Sequence, residues 1–358
     1  MFAKRPQPAG GPPAAPTRVS ALIQALLANP TVSVAAAGGL FLLALIALIA
    51  VTGDPRAGAP RVRISLGQPG GASVFTNPLA GPGPVASQPA AAGADGQAQG
   101  LPPAPFPGLT APGPGGLLPV IGPDGRTPAQ AYARPFRDTG APKVALVIGG
   151  LGLNSKITLQ AIEQLPPDVT LSFVPYADGL QGWIDRARMR GHEVLLEAPM
   201  EPVDYPQNDP GPFTLMAQDP GPETVKRLEW LLSRASGYFG LTNYLGGRFL
   251  ASDAAVGVLT TALRQRGLAF IDDGSAAGRG GGAQRASAER IIDANLDSGS
   301  ISHELAALED SARQHGRALG SGFAYPVTLL QVQQWAAGLN GRGLVLAPAS
   351  AMMNARGS

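Results

Sequence analysis

The chain has 358 residues, but most of its 36 prolines lie in residues 1–140, so the folded part is smaller than the length suggests. It has no cysteine, which excludes disulfides, thiolate metal sites and cysteine nucleophiles. The formal net charge is only +2 and the basic residues are scattered without interleaved aromatics, so nucleic-acid binding has little support.

The first predicted element is a transmembrane helix over residues 32–52, where VSVAAAGGLFLLALIALIAVT runs without a charged residue. Such a run suffices to cross a hydrocarbon core of ~30 Å. A cleavable signal peptide is the alternative, but residues 1–31 precede the run and it exceeds a typical signal-peptide core, so we expect an uncleaved anchor.

Charge alone does not set the membrane topology, because lysines and arginines are balanced on the two sides of the run. Long C-terminal domains cross the membrane largely regardless of their own charge. We therefore expect a short cytoplasmic N-terminus over residues 1–31 and a single-pass protein of the inner membrane, with its C-terminal domain in the periplasm.

Residues 53–140 are rich in proline, glycine and alanine, as in AGPGPVASQPAAAGADGQAQG. Such a stretch has too few large apolar side chains to offset the entropy lost on ordering the chain. The composition predicts a disordered linker that ends at residue 140.

Residues 141–358 have the texture of an α/β domain. Short apolar runs such as VALVI, VTLSF and HEVLL alternate with amphipathic stretches such as ITLQAIEQL and LQGWIDRARMRG. This alternation is typical of parallel strands joined by helices, and its seven or eight units favour a (β/α) barrel. In such barrels the functional residues lie on loops after the carboxyl ends of the strands.

The first strand ends in VIGGLGLN, whose glycines suggest a phosphate-binding loop. A dinucleotide fingerprint needs a third glycine where Ser155 stands, and no Lys-Ser/Thr pair makes a P-loop, so nucleotide binding is disfavoured. The histidines, His192, His303 and His315, lie before a strand or in polar helical stretches, and we expect surface or capping roles for them. The better candidates for acid–base chemistry are the strand-end acids Glu197, Asp272 and Asp273.

Five segments carry a family resemblance, namely VIGGLGLN, LPPDVTLSFVPYADGL, GHEVLLEAPMEPVDYPQNDPGP, LTNYLGGRF and LAFIDDGS. In this order they resemble the divergent polysaccharide deacetylase family over residues 143–351. The resemblance implies a distorted (β/α) barrel of the polysaccharide deacetylase type that acts on glycans outside the cytoplasm. It also implies, for metal-dependent members, an aspartate pair after the first strand and a metal held by one aspartate and two histidines, for hydrolysis of an N-acetyl group.

This sequence departs from that pattern at each metal position. Gly149 and Gly150 stand where the aspartates belong, and Glu197 and Tyr244 stand where histidines belong. We therefore expect no metal and no other cofactor. If the glycines only replace lost ligands, we expect at least Gly150 to tolerate aspartate.

The polar groups around the site persist and predict a sugar-binding surface. They are Met200, Glu201, Asp204, Asn208, Asp209, Asn243, Tyr244, Arg248 and Asp272. For Arg248 the alternative to sugar binding is a salt bridge with Asp272 or Glu201, and neither role is favoured over the other.

The leading hypothesis is a membrane-anchored pseudoenzyme of carbohydrate metabolism, which binds a cell-envelope glycan or an envelope protein. The alternative is an active carbohydrate deacetylase in which Glu197, Asp272 and Asp273 supply a non-standard oxygen-rich metal site or a metal-free acid–base pair.

Overall fold

The computed structural model describes residues 100–279 and 281–353. The predicted transmembrane helix and residues 53–99 of the predicted linker lie outside these residues. Within the described part of the chain, no helix is both long enough and apolar enough to span a membrane.

Strands and helices alternate from residue 143 onward, as the sequence predicts. The strands are β1 (Thr110–Gly113), β2 (Gly116–Pro119), β3 (Lys143–Leu151), β4 (Thr170–Phe173), β5 (Val194–Met200), β6 (Gly240–Leu245), β7 (Ala269–Asp272), β8 (Gln284–Ser287), β9 (Arg290–Ile291), β10 (Arg317–Phe323) and β11 (Val345–Leu346). The helices are α1 (Pro128–Tyr132), α2 (Ser155–Gln164), α3 (Leu180–Met189), α4 (Gly221–Leu232), α5 (Asp253–Gln265), α6 (Ser298–His315) and α7 (Pro326–Ala337), with 3-10 helices at Asn340–Arg342 and Ala349–Met352.

Four of these helices begin at side-chain caps that the sequence supplies. The cap residues are Thr127, Asn154, Ser252 and Asp297, and each accepts a hydrogen bond from the backbone N–H three residues on, at the start of α1, α2, α5 and α6 respectively. At the other end of α6, Gly316 adopts the left-handed conformation with φ of 78° and turns the chain directly into β10.

The main sheet curls back on itself. Its strand order is β8-β7-β6-β5-β4-β3-β10-β9, with β11 also paired to β3, and the pairings are parallel. The two edge strands, β8 and β9, are consecutive in the chain. Between them Ala288 donates its N–H to Asp272 O of β7, and Glu289 donates to Leu319 O of β10. The sheet is therefore a curled, distorted barrel of the expected kind.

The two faces of the sheet carry different cores because successive side chains of a strand point to opposite sides. On β3, Val144, Leu146 and Ile148 belong to a large cluster shared with the helices. Ala145 and Val147 instead belong to a smaller cluster that contains no residue of α2–α7. The second cluster is the interior of the curled sheet.

The predicted linker boundary at residue 140 is wrong, because residues 100–140 contain β1, β2 and α1. Leu109 and Tyr132 are each 2% exposed and pack in the interior cluster. Arg134 N–H also donates to the buried carboxylate of Glu193. The composition misleads because a few apolar side chains, placed against an existing core, suffice to order a glycine- and proline-rich segment.

Candidate functional site

A cavity of ≈ 490 Å³ opens at the carboxyl ends of the strands, where the barrel prediction places it. Its wall is formed by strand-end residues and by the loop after β5. The lining residues are Gly150, Leu153, Val174, Pro175, Tyr176, Glu197, Pro199, Asp209, Pro210, Tyr244, Leu245, Phe323, Ala324 and Tyr325.

Strand alternation decides which predicted residues reach the interior. Residues an even number apart on a strand point to the same side of the sheet. Gly149 on β3 is two residues from the interior residue Val147, and Glu197 on β5 is two residues from the interior residue Leu195. Tyr244 on β6 is three residues from Leu241, which packs on the helix side, so Tyr244 points to the interior. These three positions therefore meet at one end of the barrel interior. They are also positions at which the family resemblance implies metal ligands.

Glu197 occupies the centre of this corner. Its side chain is buried, and its Oε1 accepts hydrogen bonds from Gly150 N–H at 2.6 Å and from Ser172 Oγ at 2.9 Å. Its other oxygen, Oε2, is buried and makes no hydrogen bond. Burial raises the pKa of Glu197 to about 7, although both hydrogen bonds oppose the shift.

The backbone of β3 and the position of the Glu197 side chain both favour glycine at positions 149 and 150. The pairing of β3 with β4 shifts register between Ile148 and Leu151, a bulge that contains both glycines. A Cβ on Gly149 would lie 2.7 Å from Ser172 Oγ and 2.8 Å from Glu197 Oε1, which is closer than such atoms approach. Gly150 has φ of 74°, and there a Cβ would also lie 3.3 Å from Phe323 Cδ1. The structure therefore argues against the expectation that Gly150 tolerates aspartate, because a side chain at this φ is strained.

Asp272 does not reach the cavity, contrary to its predicted role in catalysis or binding. Asp272 and Phe270 are two residues apart on β7, so their side chains point to the same side of the sheet, and Phe270 packs in the helix-side cluster. Its Oδ2 is 2.8 Å from Arg285 Nη2 and accepts from Ser287 Oγ at 2.7 Å, while Oδ1 accepts from the N–H groups of the following turn. The carboxylate thus joins β7 to β8.

Asp273 and Asn243 hold the loops beside the cavity. Asp273 Oδ1 accepts from Ser275 N–H, and its own N–H donates to Asn243 Oδ1 at 3.0 Å. Asn243 Nδ2 donates to Leu245 O at 2.7 Å. Leu245 lines the cavity with φ of 57°, so Asn243 stabilises a left-handed residue of the wall instead of facing a ligand.

Glu201 and Arg248 form the salt bridge that was one of the two predicted pairings. Arg248 Nη1 lies 3.0 Å from Glu201 Oε1, and Glu201 Oε2 accepts from Ala217 N–H at 2.8 Å. Met200 is fully buried in the helix-side core. None of these residues lines the cavity, so their predicted contact with sugar is not supported.

The loop after β5 contributes one acid to the cavity. Asp204, Asn208 and Asp209 are all exposed, but only Asp209 lines the wall, next to Pro210. Asp209 Oδ1 also accepts from Gly211 N–H at 2.9 Å and so closes a turn. Of the nine predicted binding residues, Asp209 and Tyr244 line the cavity.

The residues present do not fit the metal of the family pattern. The corner offers one carboxylate and no imidazole, and Glu197 Oε1 is already engaged by two donors. Across the described residues, no three histidines, aspartates or glutamates are grouped to hold an ion. Glu197, Asp272 and Asp273 are thus not brought together. Of the surface and capping roles expected for the histidines, His192 has a capping one: it is buried, and its ring nitrogens contact Val169 O and Ile162 O, the latter in the last turn of α2.

Three aromatic residues of the wall were not predicted as site residues. Tyr176 lies after β4, Phe323 is the last residue of β10, and Tyr325 lies two residues beyond it. Functional residues of such barrels follow the carboxyl ends of the strands, and in RALGSGFAY this rule identifies Phe323 and Tyr325. Tyr244 and Phe323 meet edge to face with ring centroids 6.2 Å apart, and Phe323 lies 6.5 Å from Tyr325.

Comparison with known proteins gives a family and several uncharacterised relatives. Residues 146–353 match the family model "Divergent polysaccharide deacetylase". An uncharacterised protein of Agrobacterium tumefaciens C58, whose crystal structure is known, is 38% identical, with a TM-score of 0.62 over 66% of this chain and 99% of that one.

Two curated relatives are more distant and also uncharacterised. One, from Haemophilus influenzae, is 25% identical over 53% of this chain and 70% of its own length. The other, YibQ of Escherichia coli K12, is 22% identical over 60% of this chain and 68% of its own length.

Proposed function

The chain belongs to the divergent polysaccharide deacetylase family, and from that premise we propose that it is a pseudoenzyme that binds a cell-envelope glycan in the strand-end cavity. The observation that carries the proposal is the corner around Glu197. There the carboxylate and the β3 backbone occupy the space that a first-strand aspartate would need, while the cavity beside it remains open.

The wall of the cavity suits a saccharide. Four aromatic side chains line it, and ring faces pack against the apolar faces of sugars while tyrosine hydroxyls reach polar groups. The rim is apolar as well, since Leu153 is 68% exposed and Tyr325 is 44% exposed. Exposed apolar groups beside a cavity are typical of binding surfaces.

We place the domain outside the cytoplasm, on the inner membrane. The support for this is the uncharged apolar run at residues 32–52 and the long segment between that run and the folded domain. An envelope protein partner in place of a glycan is the competing occupant of the same cavity.

A residual hydrolase is the second candidate, and one observation favours it. Burial raises the pKa of Glu197 to about 7, in the range of an effective general acid or base. The second acid of the cavity, Asp209, is exposed on the opposite loop and is engaged in its own turn. The cavity thus offers one such group, not a pair drawn from Glu197, Asp272 and Asp273.

Calorimetric titration of the full-length chain in detergent with N-acetylated chito-oligosaccharides and peptidoglycan glycan fragments tests the proposal. We expect binding that Tyr325→Ala weakens at least about tenfold, because the substitution removes one exposed ring face of the wall. Leu330→Ala is the matched control, since Leu330 is similarly exposed but lies outside the cavity.

Acetate release is measured in the same samples. We expect none above the blank. Release by the wild type that is lost in Glu197→Gln would establish the hydrolase instead. Absence of binding to these glycans and to their deacetylated forms would refute the glycan-binding proposal.

A further inference from the structure

The charges on the cavity wall are of one sign. Among the residues that the structure describes, the wall contains two carboxylates, from Glu197 and Asp209, and no lysine, arginine or histidine, although the whole chain has a formal net charge of +2. An acidic, aromatic cavity disfavours anionic groups and attracts cations. We propose that the ligand is a glycan with a free amino group, and that its ammonium binds between the Glu197 carboxylate and the rings of Tyr244, Phe323 and Tyr325. This inference rests on the proposed function and names its substrate class.

The rings of Tyr244, Phe323 and Tyr325, called the cage below, are inclined to one another. The planes of Tyr244 and Phe323 are inclined by 82°, and those of Phe323 and Tyr325 by 59°, so the rings form walls rather than a flat stack. An ammonium within about 6 Å of a ring centroid is attracted by the negative face of the ring. Inclined rings offer a cation several such contacts at once.

The cage borders the carboxylate. A Cβ on Gly150 would lie 3.3 Å from the Phe323 ring, and the N–H of the same glycine donates to Glu197 Oε1. Both Tyr244 and Glu197 line the cavity, and the Glu197 charge contributes, after burial, to raising the pKa of Tyr244. Ring faces and carboxylate therefore meet in the same part of the cavity.

Glu197 lines the cavity and carries one buried acceptor, Oε2, that is unsatisfied among the described residues. Glu197 is 2% exposed and this oxygen has no hydrogen-bond partner, whereas Oε1 has two. An unpaired buried acceptor is unfavourable, and an ammonium brings three donors and the opposite charge. Burial also raises the pKa of Glu197 to about 7, and a neighbouring ammonium favours the charged carboxylate.

An N-acetylated sugar offers neither property. Its acetamide is neutral, so it has no cation for the ring faces and leaves the carboxylate charge uncompensated. A cavity that prefers the free amine would take the product of glycan N-deacetylation. The class of reaction that supplies its ligand is thus the hydrolysis of N-acetyl groups by another protein.

The test is calorimetric titration of the full-length chain at pH 7 with two tetrasaccharides of equal length, β-1,4-linked glucosamine and β-1,4-linked N-acetylglucosamine. We expect the amine to bind at least about tenfold more tightly, a factor within reach of a desolvated cation–π and ion-pair contact. Glu197→Gln should abolish the preference. Phe323→Leu, which keeps an apolar side chain but removes a ring, should reduce it, and this variant decides the question if Glu197→Gln does not fold.

Asp204→Asn is the control for non-specific attraction of a cation to an acidic loop, because Asp204 is exposed on the same loop outside the cavity. We expect it to leave the preference unchanged. Equal or tighter binding of the acetylated tetramer refutes the inference and leaves the proposed function standing. A preference that survives in Glu197→Gln and Phe323→Leu also refutes it. Binding of neither tetramer, nor of the peptidoglycan fragments, refutes both.

Discussion

Replacement of Glu197 by glutamine tests the central feature of the site, a carboxylate buried without full compensation. The amide has the same shape, and its oxygen can accept from Gly150 N–H and Ser172 Oγ as Oε1 does now. Its nitrogen would take the place of Oε2, which has no partner to lose. We expect Glu197→Gln to fold and to be more stable than the wild type at alkaline pH.

The magnitude follows from the pKa. Burial raises the pKa of Glu197 from its ordinary 4.5 to about 7. The neutral carboxyl is the form that the fold favours, so its contribution is fully present below pH 4.5 and is lost as the pH rises through 7. By linkage the wild type loses about 2.5 kcal/mol of unfolding free energy from this group between pH 5 and pH 8. Glutamine does not ionise and loses nothing.

Urea denaturation at pH 5 and pH 8, followed by tryptophan fluorescence, measures the difference. The advantage of Glu197→Gln over the wild type should grow by roughly 2–3 kcal/mol from the lower pH to the higher. Asp209→Asn is the control, because it removes an exposed charge of the same cavity and keeps the acceptor that closes its turn. A gap between variant and wild type that is equal at the two pH values would show that Glu197 is not buried as a destabilised carboxylate.

Three further predictions concern residues that support the site. Gly149→Ala should lower the unfolding free energy by ~1–3 kcal/mol, since its Cβ would overlap the side chains beside it, whereas Gly182→Ala in the open first turn of α3 should raise it by ~0.5–1 kcal/mol; equal effects would contradict the steric argument. Asp272→Asn should cost about 3 kcal/mol by breaking a buried ion pair, yet leave glycan affinity unchanged in calorimetry, and lost affinity in a folded variant would return Asp272 to the site. A chain that starts at residue 100 should unfold in one cooperative thermal transition, and a chain that starts at residue 141 should lose that transition. The shorter chain lacks Leu109 and the rest of the segment that packs in the interior core. An unchanged transition would show that the segment is dispensable.

The fold follows from the sequence because its signals are local and repeated. The run Val144–Ile148 and the helical stretch after it each determine one element, and parallel strands joined by helices admit few arrangements. The short edge strands β8 and β9 have no such signal. Their sequence, around QRAS, is polar and only four and two residues pair.

The site was predicted less well because adjacent strand-end residues belong to opposite faces. Glu197 and Met200, or Tyr244 and Asn243, are close in sequence but are separated by the alternation of their strands. The pattern of buried apolar residues contains this information. Leu241 packs toward the helices, so Asn243 does too and Tyr244 does not. Counting alternation from the last apolar residue of each strand would have excluded Asn243, Met200 and Asp272.

Two of the metal positions of the family pattern, 149 and 197, compete for the same space, as the contacts of a Cβ at Gly149 with Glu197 Oε1 and Ser172 Oγ show. When Glu197 accepts a hydrogen bond from the β3 backbone, no space remains for a side chain at position 149. The packing therefore favours glycine over aspartate at that position. Restoring a single ligand would then leave two carboxylates within one buried corner, where one of them must stay protonated. The corner has thus become an acceptor site with one negative group, the chemistry that an ammonium requires.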